Sequence, residues 1–350
     1  MVLEDSNVLL FAGSGGELFG RRMCRYMNKK LGRSEAFKFS DGNTFVRVQD
    51  SVRDRSVYLV QPIGNQPNDE FAEILFFVDA LKRSNALAVT LVMPYFGYAK
   101  GDKKDEPRVS IRARVCAESM ELAGCDRFIT MDLHSPQVQG FFKRPMDHLY
   151  AMPMLCEYAK RKFNLENTVV VSPDAGYAKQ ARKFGIWLNL PVAIGDKQRT
   201  DHSENAEVLT ILGDVEGKDI LIVDDFSTSG GTLNNVAKAL RKHGAGKIRA
   251  MLSHNIVSPE GVELLNNSVI EEIISTDTLF NDNITGHPKF KTVSVAPMFA
   301  ETVIRYHKSQ SINTMFTALE KGIVDAGLEL AEMDLESLRV EQGYYEDREK

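Results

Sequence analysis

One stretch of the chain, residues 219–233, constrains the fold more tightly than any other. It opens with the continuous apolar run Ile220–Val223, which is typical of a parallel strand buried on both faces. A helix is predicted to follow, because apolar residues recur at the spacing of one helical face and Gly244 suits its C-terminal cap. The apolar positions of that helix are Leu233, Val236, Ala237 and Leu240. The stretch therefore predicts a strand–loop–helix unit of an α/β protein.

Between this strand and this helix lie side chains suited to bind a phosphorylated polyol. Asp224 and Asp225 stand where the strand is expected to leave the sheet, and their carboxylates would accept hydrogen bonds from sugar hydroxyls. The residues that follow are Ser227, Thr228, Ser229, Gly230, Gly231 and Thr232. Loop amides and the start of the helix would hold a phosphate. A turn that only caps the helix is the alternative, and the strand–loop–helix context favours the binding site.

Strands and helices alternate along almost the whole chain, which predicts an α/β fold with mainly parallel sheets flanked by helices. A second such series follows the first, so the 350 residues are expected to form two similar domains. The predicted N-terminal domain spans residues 1–148, and the C-terminal domain spans residues 149–297. We expect a helix near residues 298–317 to pack back on the N-terminal domain. Residues 318–350 are expected to form an acidic helical extension that contacts another subunit.

Composition argues against several classes of protein. A net charge of −5 argues against a general nucleic-acid binder, and no apolar run reaches the length of a membrane span. The four cysteines are far apart and form no Cys-x-x-Cys pair, so we expect buried thiols in a reducing compartment. We therefore expect a cytoplasmic protein without nucleic-acid or membrane partners.

Polar or charged segments follow several other predicted strands, at the position where open α/β sheets place their ligands. The charged loop Lys100–Asp105, the single residue His134 and the single residue Asp174 each lie in a segment that follows such a strand. Residues 196–205 form a long polar segment without apolar anchors, which predicts a mobile loop able to close over a substrate. A plain surface hairpin is the alternative for this segment.

Four motifs carry a family resemblance: Met131–Phe142, Val171–Gly176, Lys197–Arg199 and Val223–Thr232. Together and in this order they resemble those of the ribose-phosphate diphosphokinases, also called phosphoribosyl pyrophosphate (PRPP) synthetases. The last motif is also similar to the PRPP-binding motif of type I phosphoribosyltransferases. Two further segments, Phe39–Asp41 and Ala99–Asp105, resemble the ATP-binding segments of the family. The resemblance covers about residues 8–316 and implies a type I phosphoribosyltransferase-like fold in both domains.

The resemblance implies that ribose 5-phosphate attacks the β-phosphorus of Mg²⁺-bound ATP, giving PRPP and AMP for nucleotide biosynthesis. It implies that Lys197 and Arg199 are catalytic, and that His134 and Asp174 bind Mg²⁺. The ATP-binding residues would be Phe39, Asp41, Asn43, Lys100, Asp105 and His134. The residues that bind ribose 5-phosphate or PRPP would be Asp174, Asp224, Asp225, Ser227, Thr228, Ser229, Gly230, Gly231 and Thr232. By the same resemblance the chain is expected to form a homo-oligomer, either a hexamer or a dimer.

Four positions depart from the family pattern, namely Asn43, Lys100, Gly101 and Thr228. Asn43 stands where glutamate is frequent, and Thr228 stands where a third acidic residue is frequent. The pair Lys100–Gly101 stands where Arg-Gln is frequent, so an arginine plane that could stack on a nucleobase is missing at this pair. We therefore expect weaker selection of adenine over other bases, with the phosphoryl-transfer residues intact.

Two other functions stay open. A phosphoribosyltransferase that consumes PRPP would share the motif Val223–Thr232 but would not account for His134 or for the doubled α/β series. A non-catalytic regulatory homologue, which assembles with an active synthetase, is favoured by the departures at Asn43 and Lys100–Gly101. The intact catalytic and metal residues argue against that second alternative.

Overall fold

The computed structural model describes residues 7–199 and 207–341, and the chain divides into two compact units. Unit 1 consists of the residues up to 150, residues 278–280 and the residues from 294 onward. Unit 2 consists of residues 151–277 and 281–293. The chain therefore completes most of unit 1, forms unit 2, and returns to unit 1 for its C-terminal helices.

Unit 1 contains seven strands within the part of the chain that is described. They are β1 (Val8–Ala12), β2 (Ser34–Lys38), β3 (Thr44–Val48), β4 (Ser56–Val60), β5 (Ala88–Met93), β6 (Arg127–Met131) and β7 (Met146–Leu149). Five of them form a parallel sheet in the order β1-β4-β5-β6-β7, and β2 and β3 form an antiparallel hairpin. The parallel sheet is made from the buried apolar runs, which confirms the predicted α/β class.

The helices of the first part of unit 1 connect these strands. They are α1 (Glu17–Met27), α2 (Pro67–Arg83) and α3 (Arg112–Ala123), with 3₁₀ helices at Gly97–Lys100 and Pro136–Phe141. Val57 and Leu59 of β4 share a buried apolar cluster with residues of α2 and α3. Neighbouring positions of a strand point to opposite faces, so Tyr58 faces the other side of the sheet.

The described residues of unit 2 form a seven-stranded sheet and four helices. The strands are β8 (Thr168–Ser172), β9 (Val192–Arg199), β10 (Glu207–Leu212), β11 (Asp219–Ser227), β12 (Ile248–Asn255), β13 (Glu272–Thr276) and β14 (Phe290–Val293). The helices are α4 (Met152–Lys162), α5 (Ala178–Leu188), α6 (Gly231–Lys242) and α7 (Pro259–Asn266), with a 3₁₀ helix at Asp282–Ile284. The order is β10-β9-β8-β11-β12-β13-β14, and every neighbouring pair is parallel except β9 with β10.

The strand–loop–helix unit predicted around residues 219–233 is present in unit 2. All four apolar positions predicted for the helix face are buried in α6. Gly244 follows the helix with a φ of +79°, a left-handed conformation that glycine adopts without strain.

Two strands are longer than the sequence predicts. β11 continues through Asp224 and Asp225 to Ser227, because β12 pairs with it as far as Asn255. β9 continues to Arg199, because β10 pairs with it in an antiparallel ladder. The prediction of a loop beginning at residue 196 is therefore wrong for residues 196–199, which form one side of a hairpin. Residues 200–206, the rest of that predicted loop, lie outside the described residues.

The C-terminal part of unit 1 is helical. Its helices are α8 (Ala296–His307), α9 (Thr314–Thr317), α10 (Lys321–Ala331) and α11 (Leu335–Glu341). The hydroxyl group of Tyr58 lies 2.9 Å from Nε2 of His307, so α8 covers the face of the sheet opposite α2 and α3. The sheet of unit 1 is thereby enclosed by helices on both faces.

The C-terminal extension packs on its own unit. α10 contacts α8, and α11 contacts α1. Ser294 donates a backbone hydrogen bond to Gly327 O at 3.0 Å, and Arg22 Nη2 donates to Met333 O at 2.8 Å. Ile323 and Leu338 are buried by this packing. The apolar face of residues 321–341 is thus covered within unit 1, and the contact of the extension with another subunit stays a prediction.

Two composition-based expectations can be compared with the structure. All four cysteines are buried and none forms a disulfide. Within residues 7–199 and 207–341, no helix is both long enough and apolar enough to span a membrane.

Candidate active site

The candidate site of unit 2 lies where the strand order reverses. β8 and β11 are neighbours, but the chain continues from β8 to β9 on one side and from β11 to β12 on the other. The ladder between β8 and β11 ends at the pair Val171–Ile222, whereas β11 continues beside β12 to Ser227. Open α/β sheets bind ligands in the crevice at such a reversal, outside the carboxyl ends of the strands. Asp224 and Asp225 lie on this end of β11.

Asp224 has a carboxyl group whose pKa is raised well above the usual range of aspartate. Burial is the largest cause, because it disfavours the charged form, and the negative charges of Asp225 and Asp174 add to it. The backbone N–H of Asp225 donates a hydrogen bond to Asp224 Oδ1 at 2.9 Å, which offsets part of the effect. The crevice therefore brings together carboxyl groups whose ionised forms a cation, or the hydroxyl donors of a ligand, would stabilise.

Asp174 lies in the turn between β8 and α5, and its position is set by two hydrogen bonds. The backbone N–H of Tyr177 donates to Asp174 Oδ1 at 3.0 Å, next to the start of α5. The hydroxyl group of Ser172 donates to the carbonyl oxygen of Asp174 at 2.7 Å. These contacts hold Asp174 near enough to Asp224 to contribute to the raised pKa of that residue.

The hydroxyl–glycine loop leads from β11 into α6. Ser227 is buried, whereas Thr228 and Ser229 are exposed. Gly230 precedes the first residue of α6 with a φ of +73°, and Gly231 begins the helix, with Thr232 as its second residue. The backbone N–H groups at the start of a helix have no partner within the helix and favour an anion. The exposed loop and the start of α6 are therefore suited to hold a phosphate group.

The start of α7 contacts the loop between β11 and α6 and holds it in place. Ser258 donates a backbone hydrogen bond to Thr228 O at 2.9 Å. A Cβ atom on Gly230 would lie 2.7 Å from Cγ of Leu265, and one on Gly261 would lie 2.8 Å from Thr228 O. Both glycines are thus required for the close approach between the loop and α7.

Lys197 and Arg199 lie in the ladder between β9 and β10, where their backbones pair with Leu209 and Glu207. β9 runs parallel to β8 and continues beyond the last pair of that ladder, Ser172–Ile194. The backbone of residues 197–199 therefore lies at the same edge of the sheet as Asp174 and Asp224.

In unit 1, Phe39, Asp41 and Asn43 occupy the turn of the β2–β3 hairpin. The backbone N–H and Nδ2 of Asn43 donate to the two carboxylate oxygens of Asp41 at 3.0 and 2.8 Å, and these bonds lower the pKa of Asp41. The ring of Phe39 is 50% exposed and contacts the rings of Phe37 and Phe45, with centroids 5.1 and 5.8 Å apart. The structure thus brings these three predicted ATP-binding residues together.

Lys100 and Asp105 follow the carboxyl end of β5. Lys100 is the last residue of the 3₁₀ helix Gly97–Lys100, and Asp105 lies in the loop between that helix and α3. Both residues are exposed. Their position after a central strand of the sheet agrees with a role in ligand binding.

His134 is exposed in the turn that follows β6. Asp132 in this turn has a φ of +37°, in the left-handed region that few residues other than glycine occupy. Its backbone N–H donates to Leu149 O at 3.1 Å, and the backbone N–H of Leu133 donates to Nε2 of the buried His148 at 2.9 Å. Both acceptors belong to β7, so this edge strand holds the turn that carries His134.

The two units contain different parts of the predicted site. Unit 1 carries Phe39, Asp41, Asn43, Lys100, Asp105 and His134, and unit 2 carries all the others. Among the described residues, no group of three or more His, Cys, Asp or Glu side chains is arranged to hold a metal ion. A metal bound by one or two of these side chains would complete its coordination with water and substrate oxygens, as Mg²⁺ does.

Sequence reasoning missed residues that shape the candidate site without touching a ligand. Ser258 could have been found, because Ser-Pro-Glu at 258–260 is a typical helix start, although the sequence does not reveal which loop that start contacts. His148 and Leu265 gave no signal, since each acts through a contact with a distant segment.

Two family models match the chain. A model of the N-terminal domain of ribose phosphate pyrophosphokinase matches residues 8–124, and a phosphoribosyl synthetase-associated domain matches residues 200–317. The ribose-phosphate pyrophosphokinase of Nostoc sp. is 41% identical over 314 residues, which cover 89% of this chain and 94% of the relative. That of Bacillus subtilis is 38% identical over 313 residues, covering 89% of this chain and 98% of the relative.

A solved structure has the same fold. The phosphoribosylpyrophosphate synthetase from Mycobacterium smegmatis is 32% identical, with a TM-score of 0.81, and the match covers 87% of this chain and 100% of that chain. Diphosphokinase and pyrophosphokinase are two names for one activity, so the resemblance seen in the motifs is confirmed. On this similarity of sequence and fold, the chain belongs to the ribose-phosphate pyrophosphokinase family.

Proposed function

We propose that this chain transfers the β,γ-diphosphoryl group of ATP to O1 of ribose 5-phosphate, giving PRPP and AMP for nucleotide biosynthesis. One observation supports this most strongly. The acidic pair Asp224–Asp225 and the phosphate-binding start of α6 lie together at the strand reversal of unit 2. A ligand that carries both vicinal hydroxyls and a phosphate fits this arrangement.

Ribose 5-phosphate would bind in unit 2. The backbone amides and hydroxyls of residues 228–232 bind its phosphate at the start of α6. Asp224 and Asp225 accept hydrogen bonds from the ribose hydroxyls, and Asp174 lies close enough to share the same charged crevice. Because Asp224 is half-buried, these bonds form partly shielded from bulk water, where hydrogen bonds are stronger.

ATP would bind to the predicted segments of unit 1. The exposed ring of Phe39 offers a stacking surface at the hairpin turn, and Asp41 and Asn43 add polar groups beside it. Lys100 and Asp105 contribute from the loop after β5, and His134 from the turn after β6.

Lys197 and Arg199 are the proposed catalytic residues. Transfer of a diphosphoryl group spreads negative charge over many oxygens, so catalysis depends on positioning and on positive charge. A lysine supplies a compact point charge, and an arginine supplies a planar fork that matches paired phosphate oxygens.

Mg²⁺ is the proposed cofactor, and the residues present fit it. Carboxylate oxygens are preferred ligands of Mg²⁺, and Asp174 is one of the carboxyl groups whose negative charge adds to the effect of burial in raising the pKa of Asp224. The resemblance assigns Asp174 and His134 to the metal. When bound, Mg²⁺ would neutralise phosphate charge and orient the phosphate oxygens.

We also propose that the chain is cytoplasmic and forms a homo-oligomer, a hexamer or a dimer. Large apolar side chains exposed on unit 1 support an interface with a second copy. They are Phe76, Leu87, Val115 and Leu122, with exposed fractions of 47, 68, 54 and 90%. Light scattering after size-exclusion chromatography measures the number of subunits in the assembly.

The buried free thiols support the proposed cytoplasmic location, because the cytoplasm is a reducing compartment.

The activity is tested by measuring AMP and PRPP after incubation with ribose 5-phosphate, ATP and Mg²⁺, with each component omitted in turn. We expect both products only in the complete mixture. Consumption of PRPP with a free base, without formation of AMP, would instead identify a phosphoribosyltransferase. If the purified protein, assayed by itself, binds ATP but forms neither product, the result would support the alternative that it is a regulatory homologue.

A further inference from the structure

The side chain of Arg112 lies against Gly101, in the loop after β5 that is proposed to bind ATP. Gly101 directly follows the 3₁₀ helix Gly97–Lys100, and Arg112 is the first residue of α3. A Cβ atom on Gly101 would lie 2.7 Å from Nε, 3.1 Å from Cβ and 3.4 Å from Cζ of Arg112. The planar part of the arginine, as well as its aliphatic stem, therefore occupies the space that a side chain at position 101 would need.

Backbone hydrogen bonds fix this arrangement. Ala113 N–H donates to Gly101 O at 3.1 Å, which ties the start of α3 to the loop, and Gly101 N–H donates to Tyr98 O at 2.9 Å. Gly101 is buried although residues 103–108 of the same loop are exposed. Arg112 itself is exposed and lies near enough to Tyr98 to act on the charge of its hydroxyl group.

The guanidinium group of Arg112 is not used by the fold. Within residues 7–199 and 207–341 it makes no hydrogen bond and no ion pair. Arg114, two positions further along α3, shows the contrast, because its Nε forms an ion pair with Glu118 at 3.0 Å. An exposed arginine whose guanidinium group lies against a glycine is suited to stack on a flat ring.

We propose that Arg112 binds the nucleobase of the nucleotide, supplying the plane that Lys100 and Gly101 lack. This rests on the proposed function, since it takes the loop after β5 as part of the ATP site. Lys100 places a positive charge on a flexible side chain there. Gly101 has no side chain, and Arg112 lies in the space that a side chain at position 101 would occupy. Arg112 then restores the adenine selectivity that the pair Lys100–Gly101 taken alone would lose.

The first test compares Arg112→Ala and Arg112→Lys with the matched control Arg114→Ala. We expect Arg112→Ala to lower kcat/KM for ATP by about ten-fold, the scale of a partly desolvated cation–π contact. We expect its preference for ATP over GTP to fall, while KM for ribose 5-phosphate is unchanged. Arg112→Lys should resemble Arg112→Ala in base preference, because lysine keeps the charge and loses the plane.

Arg114→Ala should behave as the wild type in all these measurements. Unchanged ATP kinetics and unchanged base preference in Arg112→Ala would overturn the proposal. Full recovery by Arg112→Lys would overturn the stacking and assign the contact to charge alone.

The second test uses the contact between the two residues. Gly101 has a φ of −97°, which alanine tolerates, so Gly101→Ala should fold normally and displace the guanidinium group. Gly101→Ala should therefore show the same loss as Arg112→Ala, and the double variant should show no further loss. Losses that multiply in the double variant would mean that the two residues act independently, and would contradict the proposal.

Calorimetric binding of ATP and GTP separates failure of this inference from failure of the proposed function. If the wild type forms no PRPP, the proposed activity is wrong, but the effect of Arg112→Ala on ATP binding can still be measured. If the wild type is active and Arg112→Ala binds both nucleotides as tightly as the wild type, only the inference about Arg112 is wrong.

Discussion

Arg339 of α11 donates a hydrogen bond from Nε to Oε1 of Glu17 in α1, at 2.9 Å and across 322 residues of sequence. Burial of Glu17 opposes its ionisation, but the hydrogen bonds from Arg339 and Arg21 prevail and lower its pKa. The carboxylate of α1 is therefore charged and held between two arginines. The C-terminal extension is thus integrated in unit 1 by a charged contact as well as by its apolar face.

Leu338→Ala tests whether the extension stabilises unit 1. Leu338 is fully buried where α11 packs on α1, so the variant should lower the free energy of unfolding by about 2–5 kcal/mol. Val340→Ala is the matched control, because Val340 lies on the same helix and is 61% exposed. It should change the free energy of unfolding by no more than about 0.5 kcal/mol. Urea denaturation measures both, and equal effects would mean that α11 does not pack on α1 in solution.

Lys197→Ala and Arg199→Ala should each lower kcat by at least about 10²-fold, the scale of losing one group that stabilises a transition state. Lys238→Ala, which removes an exposed lysine from the outer part of α6, should leave kcat unchanged. Melting temperatures of all three variants show whether the fold is intact. Near-full turnover in either of the first two variants would remove that residue from the catalytic assignment.

The strands with strong apolar patterns were predicted well, because a run of consecutive apolar residues indicates a strand buried on both faces. The predicted strand Ile220–Val223 lies within β11, and all four apolar positions predicted for the next helix are buried in α6. The end of β9 was missed because residues 196–199 are polar. Their strand conformation comes from pairing with β10, which single-residue preferences do not report.

Contacts between distant segments were the other part that the sequence could not predict. The extension at residues 318–350 is predicted to be helical, and α10 and α11 are present there. A helical pattern does not tell whether the apolar face of α10 meets another subunit or α8. Likewise, the sequence shows that Gly101 departs from the family pattern. It does not show that the side chain of Arg112, eleven residues further along the chain, occupies the space beside Gly101.

Asp224→Asn and Asp225→Asn should weaken binding of ribose 5-phosphate by about ten-fold or more and leave ATP binding nearly unchanged. Each variant replaces a carboxyl group, which the hydroxyl donors of the bound sugar would favour in its charged form, by a neutral amide. A hydrogen bond to a charged group contributes about 1.5–3 kcal/mol. Calorimetric titration with each substrate separately measures the two affinities. A loss confined to ATP would assign the unit 2 crevice to the nucleotide instead.

Asp224→Asn should also change how stability depends on pH in the absence of ligands and metal. A carboxyl group with a raised pKa in the folded state stabilises the fold at low pH, and this contribution is lost as the pH rises through that pKa. The wild type should therefore lose stability relative to the variant from about pH 5 to pH 8. We expect a change of at least about 1.4 kcal/mol, the equivalent of one pKa unit. Urea denaturation at four pH values measures it, and a difference that does not vary with pH would contradict the raised pKa.

Gly230 and Gly231 are adjacent and alike in sequence, but the structure gives them different requirements. Gly230 has a φ of +73°, and a Cβ atom there would lie 2.7 Å from Cγ of Leu265. Gly231 is the first residue of α6, and the nearest atom that a Cβ would meet is Ser229 Oγ at 3.4 Å, an ordinary contact. Only the first position excludes a side chain.

Gly230→Ala should therefore lower the free energy of unfolding by about 2–4 kcal/mol, because the left-handed conformation and the collision with Leu265 both oppose alanine. Gly231→Ala should stabilise by up to about 1 kcal/mol, since alanine is preferred over glycine in a helix. The double variant Gly230→Ala/Leu265→Ala should lose less free energy of unfolding than the sum of the losses of its two single variants. The shortened side chain at position 265 no longer collides with the methyl group added at position 230. Urea denaturation of the wild type, the three single variants Gly230→Ala, Gly231→Ala and Leu265→Ala, and the double variant measures these changes in the free energy of unfolding. Equal destabilisation by the two glycine substitutions would show that the loop does not approach α7 as closely in solution as in the structure.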